Sequence, residues 1–184
     1  MKFKIVVWLL VITFVSLIVL NVKPIGRHIY ILKYEKYISK YSKEYDLDPY
    51  LVVALIKTES KFNKDVKSEK DAYGLMQITD STAEWAAGEM KIEYSSSNLL
   101  FDAEYNIRMG CWYLNDLKKE FNGNMDVVLA AYNGGRGNVE KWLKDPKHSS
   151  DGENLDYIPF KETDKYVKKV NTNHKIYKFL YKNI

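Results

Sequence analysis

The chain has 184 residues, of which 46% are hydrophobic and 14% aromatic, and these values exclude a disordered protein. Its formal net charge of +4 is too small to indicate binding to nucleic acid, so no nucleic-acid partner is predicted. The single cysteine, Cys111, excludes an intrachain disulfide, and the stability of the fold must therefore come from packing.

The N-terminal segment is almost wholly apolar between Lys4 and Lys23. Residues 5–22 would form a helix of roughly 27 Å at the standard rise per residue, which is enough to span a bilayer. The basic start at Lys2 and Lys4 is also typical of a cleaved signal peptide. Because no small-x-small cleavage site follows the segment, the sequence favours an uncleaved membrane anchor.

The rest of the chain predicts an all-α or α-rich α+β domain behind this one transmembrane helix. The boundary is placed between residues 1–24, the anchor or signal-anchor, and residues 25–184, the domain. Hydrophobic periodicity and end signals predict helices over residues 29–45, 49–59, 81 to about 90, about 102 onward, 125–133, 139–144 and 163 to about 181. Residues 72–77 predict a loop or a short strand-like segment.

Local capping signals set two of these boundaries. Asp48 is a good N-cap, and Pro49 suits the first position of the helix over residues 49–59. Ser81 and Glu84 have the spacing of a capping box, which would begin the next helix.

The helix over residues 49–59 ends in a glutamate. Leu51, Leu55 and Glu59 recur at i, i+4 and i+8, so the carboxyl should lie on the face that carries leucines. Burial disfavours the ionised form of a carboxyl and raises its pKa, which is what a general acid needs at neutral pH. The alternative is an exposed helix end at which Lys57 and Lys61 screen Glu59.

Other site chemistries find little support in the sequence. His28, His148 and His174 are scattered and have neither a helix-spaced partner nor cysteines for zinc. The tripeptide Gly135-Arg136-Gly137 lacks both a third glycine and a preceding strand, so a nucleotide-binding loop is not predicted. Neither a metal nor a cofactor is expected.

Four short blocks in a fixed order carry a family resemblance. They are Glu59-Ser60, Gly74-Leu75-Met76-Gln77, Ala131-Tyr132-Asn133, and Ile158-Pro159-Phe160 followed by Glu162-Thr163 and Tyr166-Val167. In this order and spacing they resemble the signature blocks of lytic transglycosylases related to the soluble lytic transglycosylase catalytic domain. That family has a goose-type lysozyme-like fold, and the resemblance covers about residues 37–181.

The resemblance implies an enzyme of the bacterial cell wall with one catalytic carboxylate, Glu59. This residue would protonate the bond between N-acetylmuramic acid and N-acetylglucosamine and then take a proton from the muramic C6 hydroxyl, leaving a 1,6-anhydromuramoyl end. By the same resemblance the substrate's acetamido group would assist, and no metal or cofactor would take part. The implied partners are peptidoglycan glycan strands and, through the N-terminal helix, the cytoplasmic membrane, with the domain outside it. The sequence does not indicate any protein partner.

The same resemblance assigns roles to six further residues. Tyr132 would hydrogen-bond and orient Glu59, while Asn133 would support the loop or contact sugar; the alternative for both is a helix end packed by tyrosine. Ser60, Met76 and Gln77 would bind substrate in the cleft, although a lone methionine is more often a core residue. Glu162 would face the cleft and contact the peptide stem, or it would only begin a helix favourably.

Two departures from the family pattern keep alternatives open. Asp71 stands where glycine is common, and Gly134-Gly135-Arg136 replaces an Ala-Gly-Pro-like continuation. A second acid near the cleft would allow a hydrolytic, lysozyme-like muramidase, whereas Asp71 is also a common turn residue. The third possibility is a glycan-binding scaffold without catalysis, against which Glu59, Gln77 and Tyr132 together argue.

Overall fold

The computed structural model describes residues 2–182 and 184. Two residues lie outside the described ones: Met1 of the predicted anchor range and Asn183 of the predicted domain range. The side chain of Lys2, part of the predicted basic start, also lies outside the description. The helices are α1 (Lys2–Ile29), α2 (Glu35–Glu44), α3 (Pro49–Glu59), α4 (Asp80–Met90), α5 (Ala103–Glu120), α6 (Met125–Gly134), α7 (Arg136–Lys144) and α8 (Lys161–Leu180). A 3₁₀ helix, Ser97–Phe101, and two short strands, β1 (Ala72–Tyr73) and β2 (Ile78–Thr79), complete these elements. The predicted fold class is confirmed.

Helix α3 is the centre of the core. Asp48 caps it by accepting a hydrogen bond of 2.9 Å from the Tyr50 amide, and Pro49 occupies its first turn. Every residue from 51 to 56 is buried, as expected of a helix that is apolar on all sides. Its principal packing partner is α8, and α5 and α6 supply further buried side chains to the same core.

Helix α1 is long and apolar enough to cross a membrane. Within Lys4–Ile29, a stretch of 18 residues has a mean hydropathy of 2.8, and none of that stretch is buried by the rest of the chain. It continues through Pro24, which has no N–H for the preceding turn. The predicted helix over residues 29–45 is confirmed as α2, but its predicted start is wrong: α1 ends at Ile29, and α2 begins only at Glu35, after Tyr34 in the left-handed region at φ 59°.

Two smaller boundary predictions also change. The predicted capping box at Ser81 is wrong, because α4 begins at Asp80 and its cap is Thr79, whose side chain accepts from the Thr82 amide. Helix α7 begins at Arg136 rather than at residue 139.

Strands β1 and β2 form a two-stranded antiparallel hairpin, in which Ala72 pairs with Thr79 and Tyr73 pairs with Ile78. Its turn is the segment Gly74 to Gln77. Gly74 has a φ of 73°, and a Cβ there would collide with the Leu100 carbonyl oxygen and the Asn106 amide group. The turn thus requires glycine, and it places Gln77 next to the end of α3.

Candidate active site

Glu59 lies at the C-terminal end of α3 with its carboxyl mostly enclosed by the fold. Burial raises the pKa of this carboxyl to about 7, and nearby Glu162 adds to the increase. A hydrogen bond from Tyr166 and the charge of Lys169 act in the opposite direction. The result is a carboxyl that can hold or release a proton near neutral pH.

The tyrosine that holds Glu59 is Tyr166 on α8. Its hydroxyl donates to Glu59 Oε1 at 2.6 Å. The predicted hydrogen bond from Tyr132 to Glu59 is wrong, because the Tyr132 hydroxyl has one hydrogen and donates it to the Met76 carbonyl oxygen at 2.8 Å. Burial raises the pKa of both phenols well above the usual value, and the charge of Glu59 raises them further, so both remain hydrogen-bond donors.

The Glu59 carboxyl opens into a cavity of about 360 Å³. The cavity is lined by residues from the end of α3, the loop before β1, the hairpin, the end of α6 and the start of α8: Glu59, Ser68, Glu69, Lys70, Ala72, Gln77, Thr79, Tyr132, Asn133 and Glu162. A second cavity of about 290 Å³ shares Gln77, Thr79, Tyr132 and Asn133 with the first and extends past Tyr113 to Gly135. Because they share these four residues, the two cavities are adjacent, and we refer to them together as the cleft.

The hairpin that forms one wall of this cleft is fixed by side chains from two helices and from the residue that follows a third. Ser60, just after α3, donates to the Leu75 carbonyl oxygen at 2.8 Å. Asn106 on α5 accepts from the Met76 amide at 2.8 Å. Tyr132 on α6 donates to the Met76 carbonyl oxygen, as described above.

Comparison with known proteins decides the family. The model of the family described as "Transglycosylase SLT domain" matches residues 36–155, which is more than half of the chain. The chain belongs to the transglycosylase SLT-domain family. The family resemblance predicted from the four sequence blocks is therefore confirmed.

Individual members of the SLT-domain family are similar over most of this chain. The soluble lytic murein transglycosylase of Escherichia coli (strain K12) is 35% identical over 150 residues, which are 80% of this chain and 23% of that protein. The membrane-bound lytic murein transglycosylase C of Pectobacterium atrosepticum is 31% identical over 167 residues, covering 79% of this chain and 47% of that protein.

Among solved structures, the 70 kDa soluble lytic transglycosylase of Escherichia coli matches with a TM-score of 0.76 and 30% identity, covering 86% of this chain and 26% of that chain. An inactive glutamate-to-glutamine mutant of the lytic transglycosylase Slt from Pseudomonas aeruginosa matches with a TM-score of 0.72 and 30% identity, covering 82% and 25%. The chain thus spans about a quarter of the length of these soluble relatives.

The structure brings five of the residues predicted for this SLT-domain site to one cavity: Glu59, Gln77, Tyr132, Asn133 and Glu162. Gln77 adopts a φ of 51°, and its amide nitrogen donates to the Gly74 carbonyl at 2.9 Å, which fixes the direction of the side chain. Asn133 accepts from the Thr163 hydroxyl at 2.9 Å and so links α6 to α8. Glu162 lies at the exposed rim, 3.3 Å from Lys70 Nζ.

Two predicted cleft residues are buried instead, and these two predictions are wrong. Ser60 is 6% exposed, and its hydroxyl bonds to backbone carbonyls rather than facing the cleft. Met76 is 0% exposed and packs on Gly110, where a Cβ would collide with the methionine side chain. Both residues hold the hairpin in place, so they shape the cleft without lining it.

Asp71 occupies a turn, which is one of the two alternatives that the sequence left open. Its amide donates to the Ser68 carbonyl at 3.2 Å, and its φ is 54°. The exposed carboxylate is 2.8 Å from Lys67 Nζ, and this contact lowers the pKa of Asp71. Asp71 is not among the residues that line the Glu59 cavity, whereas Glu69 and Glu162 are.

Two residues that matter to the site received no role from the sequence. Tyr166 belongs to the last sequence block, and its spacing from Glu162 on one helix face could have indicated that it also faces the cleft. Asn106 is fully buried, and besides binding the Met76 amide it donates to the Tyr73 and Leu100 carbonyls at 2.9 Å each. Its position on α5 gave no signal, because Met76 and Tyr73 lie 30 and 33 residues away in the sequence.

Proposed function

We propose that the chain is a peptidoglycan lytic transglycosylase that cleaves the bond between N-acetylmuramic acid and N-acetylglucosamine without water. The observation behind this proposal is the position of the Glu59 carboxyl, which lines a cavity of about 360 Å³, accepts a hydrogen bond from Tyr166 and is raised by burial to a pKa of about 7. A group with this pKa can act first as an acid and then as a base at neutral pH.

In the first step Glu59 donates its proton to the glycosidic oxygen, and the bond from that oxygen to the anomeric carbon of the muramic residue breaks. In the second step the muramic C6 hydroxyl attacks the same carbon, and Glu59 accepts the hydroxyl proton. The product is a 1,6-anhydromuramoyl end, and Glu59 returns to its starting protonated state. Between the steps, the Tyr166 hydroxyl stabilises the Glu59 carboxylate through its hydrogen bond.

The similar proteins support this chemistry. Both relatives described above are named lytic murein transglycosylases. One similar structure is an inactive mutant in which glutamine replaces glutamate, which is the change that we propose would inactivate this chain at position 59. Another is the soluble lytic transglycosylase in complex with bulgecin A, at a TM-score of 0.75 and 31% identity over 84% of this chain and 25% of that chain.

The arrangement of carboxyls favours the transglycosylase over a hydrolytic muramidase. Most hydrolases that cleave glycosidic bonds use a second carboxylate on the other face of the sugar. The other carboxyls that line the Glu59 cavity, Glu69 and Glu162, are exposed, and Glu162 is engaged with Lys70 at the rim. Tyr132, Gln77 and Asn133 would contact the glycan in the cleft, and Glu162 would contact its peptide stem.

Product analysis tests the proposal. Full-length protein purified in detergent is incubated with purified peptidoglycan, and the products are identified by mass spectrometry. We expect anhydro ends, with Glu59→Gln slower by at least roughly 10²–10⁴-fold. The matched control is Glu69→Gln, which removes an exposed carboxyl of the same cavity and should retain activity. Reducing ends would identify a muramidase, and binding without cleavage would identify a scaffold.

For location, we propose a single-pass protein in which residues 1–24 remain as the anchor and residues 25–184 form the catalytic domain outside the cytoplasmic membrane. The length and apolar composition of α1 support the anchor, as does the membrane-bound relative. Cell fractionation combined with N-terminal sequencing should find the intact chain in membranes. A soluble form that begins after Val22 would show that the segment is a cleaved signal peptide.

A further inference from the structure

The last turns of α1 pack directly on the C-terminal end of α8. At Gly26 the two helices are so close that a Cβ would lie 2.5 Å from a methyl carbon of Leu180. The next residue, Arg27, donates from Nε to the Leu180 carbonyl oxygen at 2.9 Å. Since the last carbonyls of a helix lack partners within it, this bond both satisfies the end of α8 and joins it to α1.

The segment that follows α1 is also attached to α8. The Tyr181 hydroxyl donates to the Tyr30 carbonyl oxygen at 2.8 Å, and the Tyr177 hydroxyl donates to the Ile31 carbonyl oxygen at 3.0 Å. The ring of Tyr181 also faces the Arg27 guanidinium at 5.3 Å. Helix α1 therefore meets the domain through a set of fixed contacts rather than through a free linker.

Exposed apolar side chains surround this contact. Ile29 is 61% exposed and Phe179 is 55% exposed, and Ile25 and Ile31 are similarly open. Lys23 Nζ lies 4.9 Å from the centre of the Phe179 ring, which places Phe179 at the level where the apolar run of α1 ends. We call these four apolar residues, with Lys23 and Arg27, the junction surface.

The length of α1 gives the depth of the junction surface. If residues 5–22 span most of a hydrocarbon core that is about 30 Å thick, Lys23 lies at its boundary. Ile25 and Ile29 then follow within about 3–9 Å, which is inside the headgroup region. Apolar side chains mixed with cations favour this layer, because the apolar groups bury toward the acyl chains and the cations meet phosphates.

We infer that the junction surface lies in the headgroup layer of the bilayer and holds the catalytic domain against the membrane. This inference depends on the proposed anchor. The distance along α8 from Tyr166, which binds Glu59, to Phe179 is about 20 Å at the standard rise per residue. The catalytic carboxyl therefore acts close to the membrane surface, and its substrate is the membrane-proximal part of the glycan.

A depth measurement tests this inference. The full-length chain carrying Phe179→Cys is labelled with an environment-sensitive fluorophore and reconstituted into vesicles of phosphatidylcholine and phosphatidylglycerol. The native Cys111 is buried, and burial raises its thiol pKa, so it should not react. The matched control is Ser95→Cys on the exposed loop after α4. We expect spin-labelled lipids to quench the probe at position 179 at least several-fold more than the probe at position 95.

A second variant separates docking from anchoring. Gly26→Leu with Arg27→Ala should force α1 away from α8 and remove most of the quenching at position 179, while the protein stays in the membrane pellet and still cleaves soluble glycan fragments. If Phe179→Cys and Ser95→Cys, each without the Gly26 and Arg27 changes, pellet with the membranes but are quenched equally, the inference is overturned. If the proteins with Gly26 and Arg27 unchanged fail to pellet with membranes, the proposed anchor is refuted instead.

Discussion

The Tyr166 hydroxyl on α8 donates a hydrogen bond of 2.6 Å to Glu59 Oε1 at the end of α3. This bond favours the ionised carboxylate, whereas burial favours the neutral acid, and burial has the larger effect on the pKa. These two opposing effects leave Glu59 with a pKa of about 7, within the range that both proposed proton transfers require.

Removing the Tyr166 hydroxyl should raise the pKa of Glu59 further. The lost hydrogen bond to a charged group would cost roughly 1.5–3 kcal/mol, or about a 10–150-fold loss of rate if the bond matters mainly in the transition state. Tyr166→Phe should therefore be slow, and the basic limb of its pH–rate profile should move to higher pH. The matched control is Tyr132→Phe, which loses a bond to the Met76 carbonyl and should leave that limb in place. An unchanged profile for Tyr166→Phe would contradict this assignment.

Glu59 should make the stability of the fold depend on pH. Its pKa is about 7 in the folded chain and about 4.5 in the unfolded chain, so the folded state binds the proton more tightly. The resulting stabilisation is fully present below pH 4.5 and is lost as the pH rises through 7. The free energy of unfolding of Glu59→Gln should thus equal that of the wild type at pH 4 and exceed it at pH 8 by up to about 3 kcal/mol. Urea unfolding at both pH values measures this difference, and the exposed Glu69→Gln should show no such divergence.

The charges around Glu59 should shift its pKa in opposite directions. Glu162 raises the pKa of Glu59, and Lys169 lowers it. Glu162→Gln should therefore move the basic limb of the pH–rate profile to lower pH, and Lys169→Gln should move it to higher pH. Because both side chains are exposed, both shifts should shrink between low and high salt. Shifts of the same sign in the two variants would show that the effect is not electrostatic.

Asn106 should be essential to the cleft although it does not line it. Asn106→Leu leaves the Met76 amide and the Tyr73 and Leu100 carbonyls without their buried partner. Each such group costs about 1–3 kcal/mol, so we expect a large loss in the free energy of unfolding, measured with urea. Asn98→Leu, an exposed asparagine on the 3₁₀ helix, is the matched control and should change stability by less than about 0.5 kcal/mol. Equal effects at the two positions would refute the role of Asn106.

The sequence predicted those elements whose ends carry local signals. Asp48 and Pro49 fix the start of α3 through one hydrogen bond and one dihedral angle, and Asp102 caps the start of α5 by accepting from the Tyr105 amide at 2.8 Å. The i, i+4 spacing of Leu51, Leu55 and Glu59 also predicted a carboxyl on the buried side of a helix.

The sequence did not predict features that depend on distant contacts. The contact of α1 with Leu180 joins residues 153 positions apart, and the choice of Tyr166 over Tyr132 depends on how α8 lies across α3. The burial of Ser60 depends on its hydrogen bond to the Leu75 carbonyl, and that of Met76 depends on which way the Gly74 to Gln77 turn points its side chains. No periodic pattern encodes that direction in a turn of four residues.

The hairpin with its Gly74 to Gln77 turn has a consequence for the order of folding. The side chains that hold it are 15, 30 and 56 residues away from their partners in sequence; one follows α3, and the others lie on α5 and α6. Closing loops of this length costs conformational entropy, and strands of two residues form too few contacts to offset that cost before the helices have packed together. The cleft should therefore form after the folding transition state, with φ-values near zero in the hairpin. Substitutions at Asn106 would then accelerate unfolding and leave the folding rate almost unchanged.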